Sequence, residues 1–405
     1  MDLEEPWIQF KGYPEGSFQF NKVTWTIILV WLLSPILFYT VFAKLTYIIN
    51  RRKQLSSNAN TIAIVVLGDL GHSPRISYHV RSFLKLGYYV ELCGYIESGS
   101  SLPDHLYDDD VSINEIKVIK NSMKLPFLIF AVYKVVMQCV NLFQVLSHVI
   151  DVDTKYVLIQ NPPCLPLLAI VVLIKQLFHP NVKLVIDWHN LNYTVLNMTF
   201  QNLNHPAVKF MKWYEMTLSR KFAFLNLTVT EKMRLFLIDE FGLDAKRVVT
   251  LYDRPSEVFV PLKSQDELKQ IVSENKEVFE GKYDQKVDRI LVSATSFTED
   301  EDFSVMVDAL AKLDKKLSSG STTSAKGTIW TVVTGKGPLH DHFLQLVDSH
   351  KWNRVIIKSV WLPFDQYCKI LRIADLGVSL HYSTSGLDLP MKIVDLFGAE
   401  CSRDG

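Results

Sequence analysis

The chain has 405 residues, of which 48% are hydrophobic, with 43 basic and 43 acidic side chains. That length gives room for two or three domains with sizeable cores, the apolar fraction excludes a disordered chain, and zero net charge leaves no global field for holding nucleic acid. Cys93, Cys139, Cys164, Cys368 and Cys401 are scattered and form no CxxC pair, which excludes a disulfide framework or a structural zinc site and suits a reducing compartment.

In chain order, the first feature is Val23–Ala43, 21 residues without a formal charge. At 1.5 Å per residue such a run crosses the ~30 Å core of a bilayer, and it predicts one transmembrane helix over residues 23–49. Pro35 is tolerated in a membrane helix, and Trp25, Trp31, Tyr39 and Tyr47 include residues suited to interfacial belts. A cleaved signal peptide fits less well, because the run starts 22 residues in without a basic leader. Acidic Asp2, Glu4, Glu5 and Glu15 precede the run, whereas Lys44, Arg51, Arg52 and Lys53 follow it. The positive-inside rule then places residues 1–22 in the lumen and the body in the cytosol. Three sequons, at Asn192, Asn197 and Asn226, are accordingly expected to carry no glycan.

The body reads as alternating α/β. Thr61–Gly68 is a β-branched run ending in glycine, the pattern of a buried parallel strand. A turn-rich loop, a helical segment from Ile76 to Leu86 and a strand from Tyr88 complete one βαβ unit. Further strands are expected at 156–160, 183–187, 226–230 and 248–251, then at 289–293, 328–334, 355–358 and 376–380. These divide the body into domains over 58–250 and 251–405. Pro126–Ile150 reads as an amphipathic, membrane-leaning helix or a core helix. Lys263–Lys286 reads as a helical or loose connection, and Ser318–Lys326 as a low-complexity loop tip.

Four segments carry candidate chemistry. Gly68-Asp69-Leu70-Gly71-His72-Ser73-Pro74-Arg75 follows the first strand; its glycines let a ligand approach the backbone, and an imidazole there suits a general base. Asp187-Trp188-His189-Asn190 clusters polar groups where α/β sheets bind ligands. Gly335-Lys336-Gly337 offers freed amides and one lysine to a diphosphate. Ser383–Asp395 begins a helix near Pro390 and sets Asp388 and Asp395 on roughly one face. Each also has an ordinary structural explanation: a capping histidine, an orienting aspartate, a strand-to-helix corner, a solvated helix face. Asp151-Val152-Asp153 and Asp108–Asp110 read as solvated acidic turns, and no Walker A loop, GxSxG elbow or HExxH motif is present.

Taken together, GDLGHSPR (68–75), QNPPCLP (160–166), DWHN (187–190), KWYE (212–215), TLYDRP (250–255), SFTEDEDF (296–303), TGKGPL (334–339) and SGLDLPMK (385–392) closely resemble the chitobiosyldiphosphodolichol beta-mannosyltransferases. The resemblance implies a GT-B fold, two Rossmann-like domains facing a cleft behind one N-terminal membrane helix, on the cytosolic face of the endoplasmic reticulum. It implies inverting transfer of mannose from GDP-mannose, in β-1,4 linkage, to dolichyl-diphosphate chitobiose, with no tightly bound metal. His72 is then the first base candidate, Asp69 the next and His189 a competitor. Gly71, Ser73, Arg75, Asp187 and Asn190 would serve the acceptor, with Arg75 on its diphosphate. Arg254, Gly335, Lys336, Gly337, Ser385, Gly386, Lys392 and Asp395 would serve the donor. The family continues past Gly398 through more sheet and a closing helix, so the second domain is expected to be incomplete. The alternative is an inactive membrane-bound subunit that binds other glycosyltransferases of the same pathway.

Overall fold

The computed structural model describes residues 60–96, 102–121, 124–299, 301–319 and 327–400, together with parts of 26–49. The expected membrane span lies largely outside these residues. Its described parts, 26–31 among them, are helical and expose Ile27, Leu29, Val30 and Trp31. Among the described residues no helix is long and apolar enough to cross a membrane.

The first domain runs β1 (Thr61–Asp69), α1 (Pro74–Lys85), β2 (Tyr89–Tyr95), β3 (Val111–Glu115), α2 (Phe127–Val149), β4 (Thr154–Asn161), α3 (Leu167–Leu177), β5 (Lys183–Trp188), α4 (Asn192–Phe200), α5 (Pro206–Phe222), β6 (Ala223–Thr228), α6 (Glu231–Asp239) and β7 (Val248–Thr250). Its sheet has the order β3-β2-β1-β4-β5-β6-β7, with every pairing parallel. The β-branched run of β1 explains its central place. Ile62, Ile64 and Val66 pack on one face with Ile76 and Val80 of α1. Ala63 and Val65 pack on the other with Leu142 and Leu146 of α2 and the apolar face of α3. Alternation sends successive side chains to opposite faces, and both are covered, so the sequence reads as continuously apolar. Full burial stabilises each Val or Ile by roughly 1.5–3 kcal/mol. Pro74 opens α1 with its preset φ, and Gly87, at φ 75°, ends it in the left-handed conformation that glycine adopts without strain.

Strand β3 escapes sequence reading. Its residues, VSINE, lie half-exposed at the sheet edge and show no apolar run. Strand β6 also starts three residues before the expected Asn226, at Ala223. Asn192 and Asn226 are both buried, and the Asn226 Oδ1 accepts from the Trp188 indole N–H at 2.9 Å. Neither sequon can take a glycan in the folded chain.

The second domain contains α7 (Gln265–Glu274), α8 (Lys276–Phe279), β8 (Arg289–Thr295), α9 (Phe303–Ser318), β9 (Ile329–Gly335), α10 (His340–Asp348), β10 (Val355–Val360), α11 (Phe364–Ile373), β11 (Leu376–Gly377) and α12 (Met391–Gly398). Its parallel sheet has the order β10-β9-β8-β11. In each sheet the strand order reverses once, at β1/β4 and at β8/β11. Such switch points open a crevice at the carboxyl ends of the strands, which is where doubly wound sheets bind ligands.

The loop before α12 joins the two domains. Leu387 is 7% exposed and packs into the first domain's core. Thr230 Oγ1 donates to its carbonyl, and Lys232 Nζ donates to the Gly386 carbonyl at 3.0 Å. Leu387→Ala is expected to cost about 2–5 kcal/mol and to weaken the coupling between domains. Urea denaturation followed by intrinsic fluorescence checks it: one transition in the parent chain, two separating transitions in the variant.

Candidate active site

The site is built on a buried carboxylate. Asp187, at the carboxyl end of β5, is fully buried. Arg75, in the first turn of α1, donates to both its oxygens at 2.7 Å. The same guanidinium donates to Asp253 Oδ1 at 2.7 Å and to the Leu251 carbonyl at 2.9 Å, in the segment leading to the second domain. One turn further along α1, His79 Nε2 lies 2.9 Å from Asp187 Oδ2, and His189 Nε2 lies 3.6 Å from that oxygen. Burial alone would raise the Asp187 carboxyl, but His189, His79 and Arg75 together hold it well below the usual carboxylate range.

A second buried acid shapes the same strand ends. Glu215 of α5 accepts from the Asn192 backbone at 2.7 Å, the Asn192 carboxamide at 2.8 Å, the Asn161 carboxamide at 3.2 Å and the Tyr193 backbone at 3.2 Å. Burial raises its pKa, and these neutral donors only partly oppose that. The Asn161 carbonyl in turn accepts from the His189 backbone at 2.8 Å. The ends of β4 and β5 are thereby fixed against each other.

Between the domains lies a cleft of ≈ 360 Å³. Gln160, His189 and Asn190 line one wall; Ser296, His381, Asp388 and Lys392 line the other. Lys392 sits in the first turn of α12, where backbone N–H groups point outward. Its ammonium donates to Glu301 at 2.7 Å and to Ser296 Oγ at 3.2 Å, and the Glu301 side chain is 2% exposed. Glu301 also accepts from Thr295 Oγ1 and the Ser296 amide. A positioned lysine at a helix N-terminus gives this wall a local positive charge. Across the cleft, the Asn190 carboxamide donates to Asp388 Oδ2 and Thr384 Oγ1, each at 3.2 Å. His381 Nε2 lies 3.3 Å from the same carboxylate oxygen, and Ser383 Oγ donates to its other oxygen.

The remaining sequence candidates fall elsewhere. Arg75, expected on the acceptor diphosphate, is 4% exposed and committed to the buried network. Asp187 likewise faces the interior beneath His189. Asp69, Gly71, His72 and Ser73 form the turn at the β1/β4 switch point, where Ser73 Oγ donates to the Asp69 carbonyl at 2.7 Å. Gly335 and Gly337 pack on the β8 end so closely that a Cβ on either would lie 1.8 Å from the Thr295 or Ser296 carbonyl oxygen. Lys336 rests 4.0 Å from the centroid of the Trp361 ring, a cation–π contact outside the cleft lining. Ser385 and Gly386 belong to the interdomain loop, and Arg254 is exposed on the connecting segment. Asp395 turns to Tyr367, whose hydroxyl donates at 3.3 Å. Burial pushes its carboxyl up to about 6.

Sequence reading missed His79, Gln160, Asp253, Glu301 and His381. Asp253, Gln160 and Glu301 lie inside motifs that were legible as blocks, without any sign of which side chain turned inward. The Asp151 carboxylate accepts from the Asp153 and Thr154 backbone amides, closing a turn. Among the described residues, no group of three or more His, Cys, Asp or Glu is arranged to hold a metal ion.

Two stability measurements follow. Asp187→Ala removes one of the two carboxylates that face the buried Arg75 guanidinium and leaves His79 Nε2 without its partner; it is expected to cost about 3–5 kcal/mol in urea denaturation. For Asp395, the folded chain binds its proton more tightly than the unfolded chain does. Its contribution is therefore neutral below the unfolded pKa and becomes a penalty as pH rises from about 4 to 6, levelling at up to about 3 kcal/mol. The difference in unfolding free energy between Asp395→Asn and the parent is expected to grow across that window and stay flat above it.

No family model matches the chain. Among curated proteins it is similar to the chitobiosyldiphosphodolichol beta-mannosyltransferase of Candida albicans, 45% identical over 394 residues, covering 96% of this chain and 81% of that protein. The protein of the same name from Debaryomyces hansenii is 45% identical over 396 residues, covering 98% and 81%. Among solved structures, a glycosyltransferase from Rickettsia africae ESF-5 superposes with a TM-score of 0.51 at 16% identity, over 80% of this chain and 74% of that one. WaaG, a glycosyltransferase involved in lipopolysaccharide biosynthesis, gives a TM-score of 0.53 at 12% identity, over 84% and 79%. At those identities the likeness speaks for the fold alone, which is GT-B. The sequence identity speaks for more: the chain belongs to the chitobiosyldiphosphodolichol beta-mannosyltransferase family.

Proposed function

We propose that the chain transfers mannose from GDP-mannose to the 4-hydroxyl of the terminal N-acetylglucosamine of dolichyl-diphosphate chitobiose, at the cytosolic face of the endoplasmic reticulum. Mannosyl transfer to a lipid-linked chitobiose is the activity of its family. The donor, the membrane side and the residue roles are the parts inferred here. An α-linked donor and a β-linked product require one inverting displacement: the acceptor oxygen attacks the anomeric carbon, the bond to the diphosphate breaks, and a base takes the hydroxyl proton.

The observation that carries this reading is one cleft holding an imidazole backed by buried Asp187 and, on the opposite wall, an ammonium anchored by buried Glu301. In this reading His189 accepts the acceptor proton, and the adjacent Asp187 carboxylate stabilises the imidazolium that results. Lys392 and the first amides of α12 meet the charge that builds on the departing GDP. Asp388 and Asn190 offer an acceptor and a donor to sugar hydroxyls. Protein cations serve the leaving group, with no metal in the reaction. His72 and Asp69, on the turn after β1, are the competing base candidates.

Transfer of labelled mannose from GDP-mannose to a phytanyl-diphosphate chitobiose tests the assignment. His189→Ala is expected to lower kcat by about 10²–10⁴-fold with the KM for GDP-mannose unchanged. Lys392→Ala is expected to raise that KM, and EDTA to leave the parent rate unchanged. A loss confined to His72→Ala would move the base to the turn after β1. No transfer by folded parent chain that still binds the acceptor would overturn the enzyme reading in favour of a binding subunit.

A further inference from the structure

The carboxamides at the strand ends of the first-domain wall differ in their commitments. Asn161 and Asn192 donate to Glu215, and Asn190 donates to Asp388 and Thr384. Gln160 stands apart: its Oε1 is buried, and among the described residues no donor reaches it. Buried acceptors are satisfied in nearly all folded chains, and one left open on a cleft wall is available to a ligand. The terminal torsion of a glutamine is broad and roughly two-fold, so a half-turn brings Oε1 out to the cleft that the residue already lines.

The surroundings of Gln160 indicate which donor it takes. In the parallel register of β4 and β5, Gln160 lies opposite Asp187, and His189 follows two residues later. Side chains at 160, 187 and 189 therefore leave on one face, with the α-carbons of Gln160 and His189 about 8 Å apart. The bond from the His189 amide to the Asn161 carbonyl, 2.8 Å, holds that spacing. An amide N–H suits a buried oxygen better than a hydroxyl does, because it brings no lone pairs that need partners of their own. Pro162 lines the same cleft and offers apolar surface close by. We propose that Gln160 is a specificity-determining residue. Its Oε1 accepts the N–H of the 2-acetamido group on the acceptor's terminal N-acetylglucosamine, and the acetyl methyl rests on Pro162. The 4-hydroxyl and the 2-acetamido group sit on alternate carbons of one ring, so a sugar with the first at His189 presents the second toward Gln160. The sugar of the donor carries hydroxyls alone. This inference rests on the acceptor reading given above and deepens it.

The test uses the full chain, phytanyl-diphosphate chitobiose and two analogues changed only at the terminal ring. One is 2-deoxy, and the other has its acetamido nitrogen methylated. Mannosyl transfer gives kcat/KM, and calorimetric titration gives acceptor affinity without turnover. With the parent chain, each analogue is expected to be about 10–100-fold poorer than chitobiose in both measurements. In Gln160→Met, chitobiose is expected to fall to the level of the analogues, with the KM for GDP-mannose unchanged. Equal losses for all three acceptors in that variant would make Gln160 structural and overturn the proposal, with transfer itself left intact. Methylation leaves the protein untouched, so a parent chain indifferent to it overturns the proposal even where the variant does not fold. A parent and variant that show the expected preferences in binding, without any transfer, would uphold the role of Gln160 and overturn the enzyme reading instead.

Discussion

One buried carboxylate organises this molecule. Removing Asp187 from water is costly, and its charge persists only because Arg75 grips both oxygens while His79 and His189 stand at hydrogen-bonding range or just beyond. The partners come from different parts of the chain. Arg75 and His79 fix the first turns of α1 against the end of β5, and Arg75 continues to Asp253 and the Leu251 carbonyl. The position of the second domain's tether is therefore tied to the same ion as the cleft histidine. A network of this kind tolerates little: Arg75, Asp187 and Asp253 have been stripped of solvent, and the loss of Arg75 would leave two buried carboxylates without their guanidinium.

Glu215 shows how environment separates two acids of the same domain. Both are fully buried, yet Asp187 faces the Arg75 guanidinium and two imidazoles and is held ionised, whereas Glu215 faces amides and is pushed toward its neutral form. The first fixes α1 and the connecting segment; the second fixes the ends of β4 and β5. Between them they hold Gln160, His189 and Asn190 on one rigid wall. The opposite wall is anchored in the same way, with Glu301 gripping Lys392, and Leu387 sets the spacing by burying an aliphatic side chain of one domain in the core of the other.

The two lysines that suggested a diphosphate site have different fates. Lys392 is held in the cleft by a buried acid at the mouth of a helix. Lys336 lies on the face of Trp361, and its flanking glycines are required by the close approach of the β8 end. A glycine pair beside a lysine thus has two physical causes, backbone packing and anion binding, and the spacing alone does not separate them. The same division runs through helix α2, whose apolar residues serve the core in one half and face outward in the other.

Much of the fold was legible because both sheets are parallel and covered on both faces. Their central strands had to be short apolar β-branched runs, and β1, β4, β5, β8 and β9 stood out for that reason. The edge strand β3 lacked that constraint and left little trace, and the strand expected over 376–380 pairs only at Leu376 and Gly377. At the site, the sequence by itself determined that blocks 68–75, 187–190 and 334–338 would follow strands and that 383–395 would lead into a helix. It also determined the family, because ordered blocks of that length do not arise from composition. Only the tertiary structure decided which side chain of each block meets the cleft. Arg75 turned inward because Asp187 and Asp253, more than a hundred residues away in sequence, converge on it. Asp395 turned to Tyr367, and Asp388 took the place facing Asn190. Burial and charge pairing across such separations depend on where the chain returns in space, which no local pattern of residues encodes.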